Sequence, residues 1–212
     1  MKRILILSML ILTLGVNAMA QYSSREARKT LNTRAPREVR REARSLERDG
    51  YSTAPGAPII ERQLTDAWMR LSEFDDSGYP KYVDATGVSV GETQNAAKLQ
   101  ATEAAKLELA GSLQTNIAAL IEQSIANQQM DAEEAASVTK TVAASQNIIA
   151  QELGRVITLT ELYRKIGRNT EASVRIAYNS EMAMESAKKA IRKSLEEETS
   201  IVHEKLERLM NY

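Results

Sequence analysis

From Thr93 to about Gln128 the chain reads as one long helix, and the residues that share its inner face change size along its length. Ala97, Ala101, Ala104 and Ala105 come first, followed by Leu109, Leu113, Ile117, Leu120, Ile121 and Ile125. A face of alanines lets another backbone come close, whereas a face of leucine and isoleucine needs bulky partners. The first half is therefore expected to lie tightly on a sheet, and the second half to pack against further helices. No other stretch limits the choice of fold so strongly.

The flanking segments supply the rest of the domain. Tyr82 to Val90 alternates, with Tyr82, Asp84, Thr86, Val88 and Val90 on one side and Val83, Ala85, Gly87 and Ser89 on the other, which predicts a strand. Val88 and Val90 are expected to be buried and Gly87 to mark a close approach. Asp131 and Glu134 have the spacing of a helix cap, and Ala135, Val138, Val142, Ser145, Ile149 and Leu153 repeat in threes and fours, giving a second helix that closes at Gly154. Arg155 to Ile166 and Glu171 to Tyr178 read as a β-hairpin turning at Gly167-Arg168-Asn169. Asn179 or Ser180 caps a last helix to about Met210, with Met184, Ala187, Ile191, Leu195, Ile201 or Val202, Leu206 and Leu209 inside. The expected class is α+β: a small three-stranded antiparallel sheet covered by long helices in the order β-α-α-β-β-α, preceded by an N-terminal helical arm.

Three segments are expected. Residues 1–20 have Lys2 and Arg3, an apolar run from Ile4 to Val16, and Ala18-Met19-Ala20, the layout of a secretory signal peptide cleaved before Gln21. That run is shorter than the roughly 20 residues a membrane-spanning helix needs. No transmembrane segment is expected after cleavage, and the location expected is the periplasm or the outer membrane. Residues 21–58 form a basic arm and a linker, and residues 59–212 the domain.

In the arm, residues 21–50 carry nine basic and five acidic side chains, about +4. Pro36 followed by Glu38, Val39, Glu42, Ala43 and Leu46 predicts a helix that Gly50 stops, with an apolar stripe too narrow to hold it alone. Arg37, Arg40, Arg41, Arg44 and Arg48 are the candidate surface-contact residues, for an anionic partner or a membrane surface. Glu and Arg pairs at i,i+4 on a solvated helix are the ordinary account of the same residues. With interleaved Glu and no aromatic between the arginines, nucleic acid is not an expected partner. After the Ser52–Pro58 linker, Ile60, Leu64, Ala67, Trp68, Leu71 and Phe74 predict an amphipathic helix whose aromatic residues pack in the core, the ordinary account, or against a partner surface.

Chemistry is sparse. The chain has no Cys, which excludes disulfides, thiolate metal sites and a cysteine nucleophile. Gly87-Val88-Ser89-Val90-Gly91 matches the letters of a hydrolase nucleophile elbow, with the single histidine, His203, downstream. An elbow needs a parallel sheet of several βαβ units, larger than this domain, so no catalytic residue is assigned. His203 sits among charged residues and is expected to face solvent. Asp75 and Asp76 lack the spacing of a calcium loop and are expected to serve a turn. Met182 and Met184 are expected to fill gaps at a helix start. No metal or cofactor is expected.

Residues Tyr82–Gly91, leading into Asn95–Ala110 and returning through Thr160–Tyr163 and Ser173–Tyr178, resemble the lipoprotein-twenty family of bacterial envelope proteins. The likeness covers roughly half the chain. It implies a small α+β envelope domain with no catalytic residue to carry over. The lipid-bearing Cys of that family is absent here, which implies a soluble or partner-held form. The whole chain, with its Arg-rich arm, is also similar to exported proteins of unknown function in Bacteroidetes-type bacteria. The role expected is non-enzymatic binding or structure, with another envelope protein or a second copy as partner. A hydrolase using Ser89 and an electrostatic tether through the arm are the alternatives.

Overall fold

A computed structural model describes residues 36–128 and 131–198. The expected leader, the arm before Pro36, His203 and the last helix beyond Glu198 lie outside the described residues. The chain divides into two compact units, up to Tyr82 and from Val83.

In the first unit, α1 (Arg37–Arg48) packs on α2 (Ile60–Leu71). Their buried apolar positions are Val39 and Ala43 on α1 and Ile60, Leu64 and Ala67 on α2. The narrow stripe on α1 is thus used against a second helix, which joins the expected arm to a segment that the sequence placed in the domain. Gly50 ends α1 as expected. At φ 86° it takes the left-handed conformation, with its N–H on the Glu47 carbonyl at 3.1 Å and the Tyr51 N–H on Leu46 at 2.9 Å. That pair of bonds satisfies carbonyls the helix would otherwise leave open.

Trp68 of α2 and Phe74 after it do not enter the core as expected. Trp68 is 38% and Phe74 50% exposed. Ile60, Leu64, Ala67 and Leu71 fall within about 60° of one another around a helix, while Trp68 projects some 80° from Ile60 at the edge of that face. Phe74 lies beyond the helix end, in a bridge with Pro80. Between them Asp75 builds the expected turn: its Oδ1 accepts the N–H groups of Ser77 and Tyr79, both at 2.9 Å.

In the second unit, β1 (Tyr82–Gly91), β2 (Ile157–Ile166) and β3 (Asn169–Asn179) form an antiparallel sheet in the order β1-β3-β2. A two-residue turn, Gly167-Arg168, joins β2 and β3, and the register slips once between Thr158 and Thr160. The helices are α3 (Gln94–Gln128), α4 (Ala132–Ala144), α5 (Gln146–Glu152) and α6 (Ser180–Glu198). With these the α+β class holds.

The predicted size gradient on α3 is seen directly. Ala97, Ala101 and Ala105 are fully buried, and Leu109, Leu113, Ile117 and Ile121 continue the line at steps of four. Four residues turn a helix by about 400°, so each step moves the buried direction on by about 40°. The contact face thereby passes from β3 to α4, α5 and α6 along one helix.

The orientation of β1 reverses one expectation. Val88 is 53% and Val90 43% exposed, while Ala85 and Gly87 are buried. The reason is the closeness of α3: a β-carbon on Gly87 would overlap the Ala101 carbonyl oxygen and the Ala105 amide nitrogen. Only the side of the strand that lacks bulk fits there.

Two helix starts follow the sequence. Asp131 accepts the N–H groups of Glu133 and Glu134, and Asn179 accepts that of Met182 at 3.0 Å. The single helix expected from Asp131 to Gly154 is instead broken at Ser145, whose N–H and Oγ both donate to the Val142 carbonyl. On α6 the buried line is Ala183, Ala187, Ala190, Ile191 and Leu195. Met184 is half-buried and Met182 55% exposed, so Met182 fills no gap and Ala183 takes the inner position.

The Gly87 contact makes a direct prediction. Gly87→Ala should cost at least about 3 kcal/mol, because backbone must move to admit the methyl group, whereas Val88→Ala should cost under about 1 kcal/mol. Urea unfolding followed by circular dichroism measures both. Equal midpoints for the two variants would contradict the close helix-strand seam.

Candidate functional site

The only hydrolase-like motif lies within the seam just described. β1 runs unbroken through Gly87-Val88-Ser89-Val90-Gly91, so Ser89 does not sit on the sharp strand-to-helix turn that exposes a hydrolase nucleophile. Its Oγ donates to Oε1 of Gln100 on α3 at 2.9 Å. A β-carbon at Gly91, like one at Gly87, would meet α3 backbone, here the Ala97 amide nitrogen. Both glycines of the motif are therefore explained by packing.

The acidic candidates are also engaged. Asp75 serves its turn, and Asp84 pairs with Arg175 across β1 and β3 at 2.6 Å. Arg164 and Glu171, directly opposite in the β2–β3 register, pair at 2.6 Å on the same sheet face as Arg175. Among the described residues no three His, Asp or Glu side chains gather as a metal site requires.

A polar cluster that sequence reasoning missed lies where β2 meets α3. Tyr163 donates its hydroxyl to Glu161 Oε1 at 2.6 Å, and Lys98 of α3 pairs with the other carboxylate oxygen. Burial, reinforced by the hydrogen bond to Glu161 and by that residue's negative charge, pushes the Tyr163 phenol from 10.0 up to about 12, against a smaller lowering by Gln94. A phenol held neutral in this way can donate a hydrogen bond but is poorly suited to act as a base near neutral pH. Lys98 and Glu161 lie far apart in sequence, and no local spacing announces their pairing.

A second unforeseen contact supports the break between α4 and α5. Gln114 Nε2 donates to the carbonyls of Val142 and Ala143 at 2.7 and 2.8 Å, and Gln146 Nε2 donates to the Leu107 carbonyl at 3.0 Å. Two glutamines, one from each side of the helical hairpin, thus occupy carbonyls of the opposite helix.

The predicted surface residues fall on one helix and separate into two groups. Arg37, Arg41, Arg44 and Arg48 are exposed, while Arg40 is half-buried. Arg48 Nε donates to the Arg44 carbonyl at 3.2 Å. The i,i+4 Glu and Arg pairs expected in the ordinary account are absent among the described residues of α1. Its i,i+4 neighbours are Arg37 and Arg41, Arg40 and Arg44, Arg44 and Arg48, and Glu38 and Glu42, each of like charge. No ion pair between side chains of α1 forms. The sequence carried this signal in its spacing.

No protein-family model, curated protein or solved structure matches the chain.

The Tyr163 environment sets an alkaline response. With the folded phenol titrating near 12 and the unfolded one near 10, the unfolded state releases its proton first as pH rises. The stabilising contribution is complete below pH 10 and is lost from there towards 12. Phenolate absorbance should show one late-titrating tyrosine that Tyr163→Phe removes. Unchanged late titration in that variant would assign the shift to another residue.

Proposed function

We propose that the protein is an exported, non-enzymatic binding or structural component of the bacterial cell envelope, periplasmic or associated with the outer membrane. The observation that carries the non-enzymatic part is the seam between β1 and α3, which accounts for Gly87, Ser89 and Gly91 without catalysis. Export rests on the order of Lys2-Arg3, Ile4–Val16 and Ala18-Met19-Ala20. The resemblance of Tyr82–Ala190 to lipoprotein-twenty proteins supports the same compartment. Among the described residues no helix is long and apolar enough to cross a membrane. The partners proposed are another envelope protein, a second copy, or an anionic envelope surface met by α1.

Two readouts on protein expressed with its natural leader test this. Mass spectrometry of the envelope fraction should find a chain beginning at Gln21, and a chain keeping residues 1–20 in the cytosol would remove the export reading. A fluorophosphonate probe should label the protein no more than it labels Ser89→Ala. Labelling that disappears in Ser89→Ala would replace the binding role with a serine hydrolase.

A further inference from the structure

The exposed arginines of α1 form a narrow crest. At about 100° per residue, Arg37, Arg41, Arg44 and Arg48 fall within an arc of about 60°, and at 1.5 Å per residue they span about 16 Å. Val39 and Ala43, turned well away from this arc, are buried, so the side of the helix away from the crest is fixed in its own unit. No apolar side chain lies on the crest.

Charge on a helix surface ordinarily alternates so that Glu and Lys or Arg meet at i,i+4. Here such neighbours are like-charged, and among the described residues none of the crest arginines forms an ion pair with a carboxylate. That i,i+4 order works against the helix, since adjacent like charges repel, and the opposite charges at i,i+3, Glu38 with Arg41 and Arg44 with Glu47, form no ion pair among the described residues. An external anion would turn the repulsion into attraction.

The shape of the charge distribution selects the kind of anion. Glu38 and Glu42 project about 100° and 140° round from Arg37 on one flank, and Glu47 about 80° round on the other. A partner that wraps the helix, as a nucleic-acid strand in a groove would, brings its phosphates against these carboxylates. A plane touching the crest reaches the guanidinium groups and leaves the glutamates to the sides. The crest also lacks the aromatic side chains that stack on single-stranded bases.

From these observations we infer that the Arg37, Arg41, Arg44 and Arg48 crest docks the protein on a membrane surface bearing net-anionic phospholipid headgroups. Contact is peripheral and electrostatic, because the apolar side of α1 is already buried. Arginine suits this role through its planar fork of donors to phosphate oxygens. The inference deepens the envelope reading above and takes from it the compartment in which such a surface is met.

Sedimentation with vesicles tests it, using the full chain expressed with its natural leader and processed identically in every variant. Wild-type protein should sediment with vesicles containing phosphatidylglycerol and not with pure phosphatidylcholine, and the association should fall steeply as salt rises. Replacing all four crest arginines by glutamine should weaken it on the order of a hundredfold. A control removing four exposed positive charges elsewhere, Lys140→Gln, Arg155→Gln, Arg168→Gln and Lys193→Gln, should weaken it far less. The fourfold Arg→Lys variant should retain most of the binding, and circular dichroism checks that each variant folds. Equal loss in crest and control variants, or binding to neutral vesicles that salt does not alter, would overturn the inference. So would retention on an oligonucleotide at physiological salt without vesicle association. None of these outcomes depends on Ser89 labelling or the N-terminal mass, so the docking surface and the broader role fail separately.

Discussion

The second unit depends on how close α3 comes to β1. A helix whose inward residues are alanines, set against a strand with glycine at the contact, brings two backbones nearer than any larger side chain would allow. Close approach gives dispersion contacts along the whole seam and replaces the area that larger aromatic cores bury. The chain has one Phe, one Trp and no Cys, so packing of this kind has to supply much of its stability. The seam also decides which side of β1 faces inward. Ala85 and Gly87 must take that side, and Val88 and Val90 are left outside.

Further along α3 the requirement changes. Where leucine and isoleucine replace alanine, the partners are α4, α5 and α6, and the turning of the buried line lets one continuous helix serve both the sheet and the bundle. The break at Ser145 belongs to this second regime. Splitting α4 from α5 redirects the chain while Val138, Val142, Ile149 and Leu153 all remain buried. Gln114 then donates to the Val142 and Ala143 carbonyls at the end of α4, adding to the Ser145 bonds on Val142, which lowers the cost of ending a helix there.

Much of this was legible in the sequence because it is local. The 3.6-residue repeats, the β2–β3 turn, the Asp131 and Asn179 caps, the Gly50 stop and the Asp75 turn each follow from residues a few positions apart. What escaped was set by distant partners. Alternation in Tyr82–Val90 shows that two faces exist but not which one meets a helix, and the larger residues suggested the wrong side. Trp68 looked like core by chemistry, yet its angular position leaves it at the edge of α2. The Lys98, Glu161 and Tyr163 cluster joins a helix to a strand more than sixty residues later. The repeat Ala135–Leu153 stays in phase through Ser145, so nothing in its periodicity marks the break.

The arginines of α1 are a different case, since their spacing was visible and its meaning depended on a count. Like charges at i,i+4 cost about 0.2–0.5 kcal/mol per pair on an isolated helix, less in salt, and α1 has four such pairs. Helix propensity cannot offset this by itself over twelve residues, because short helices are marginal in water. Burial of Val39 and Ala43 with α2, together with the Gly50 cap, holds the helix in spite of its charges. The same burial fixes which way the crest points. Four like-charged guanidinium groups on one exposed line carry a cost borne by the opposite face, and it is this cost that the proposed docking on an anionic surface would offset.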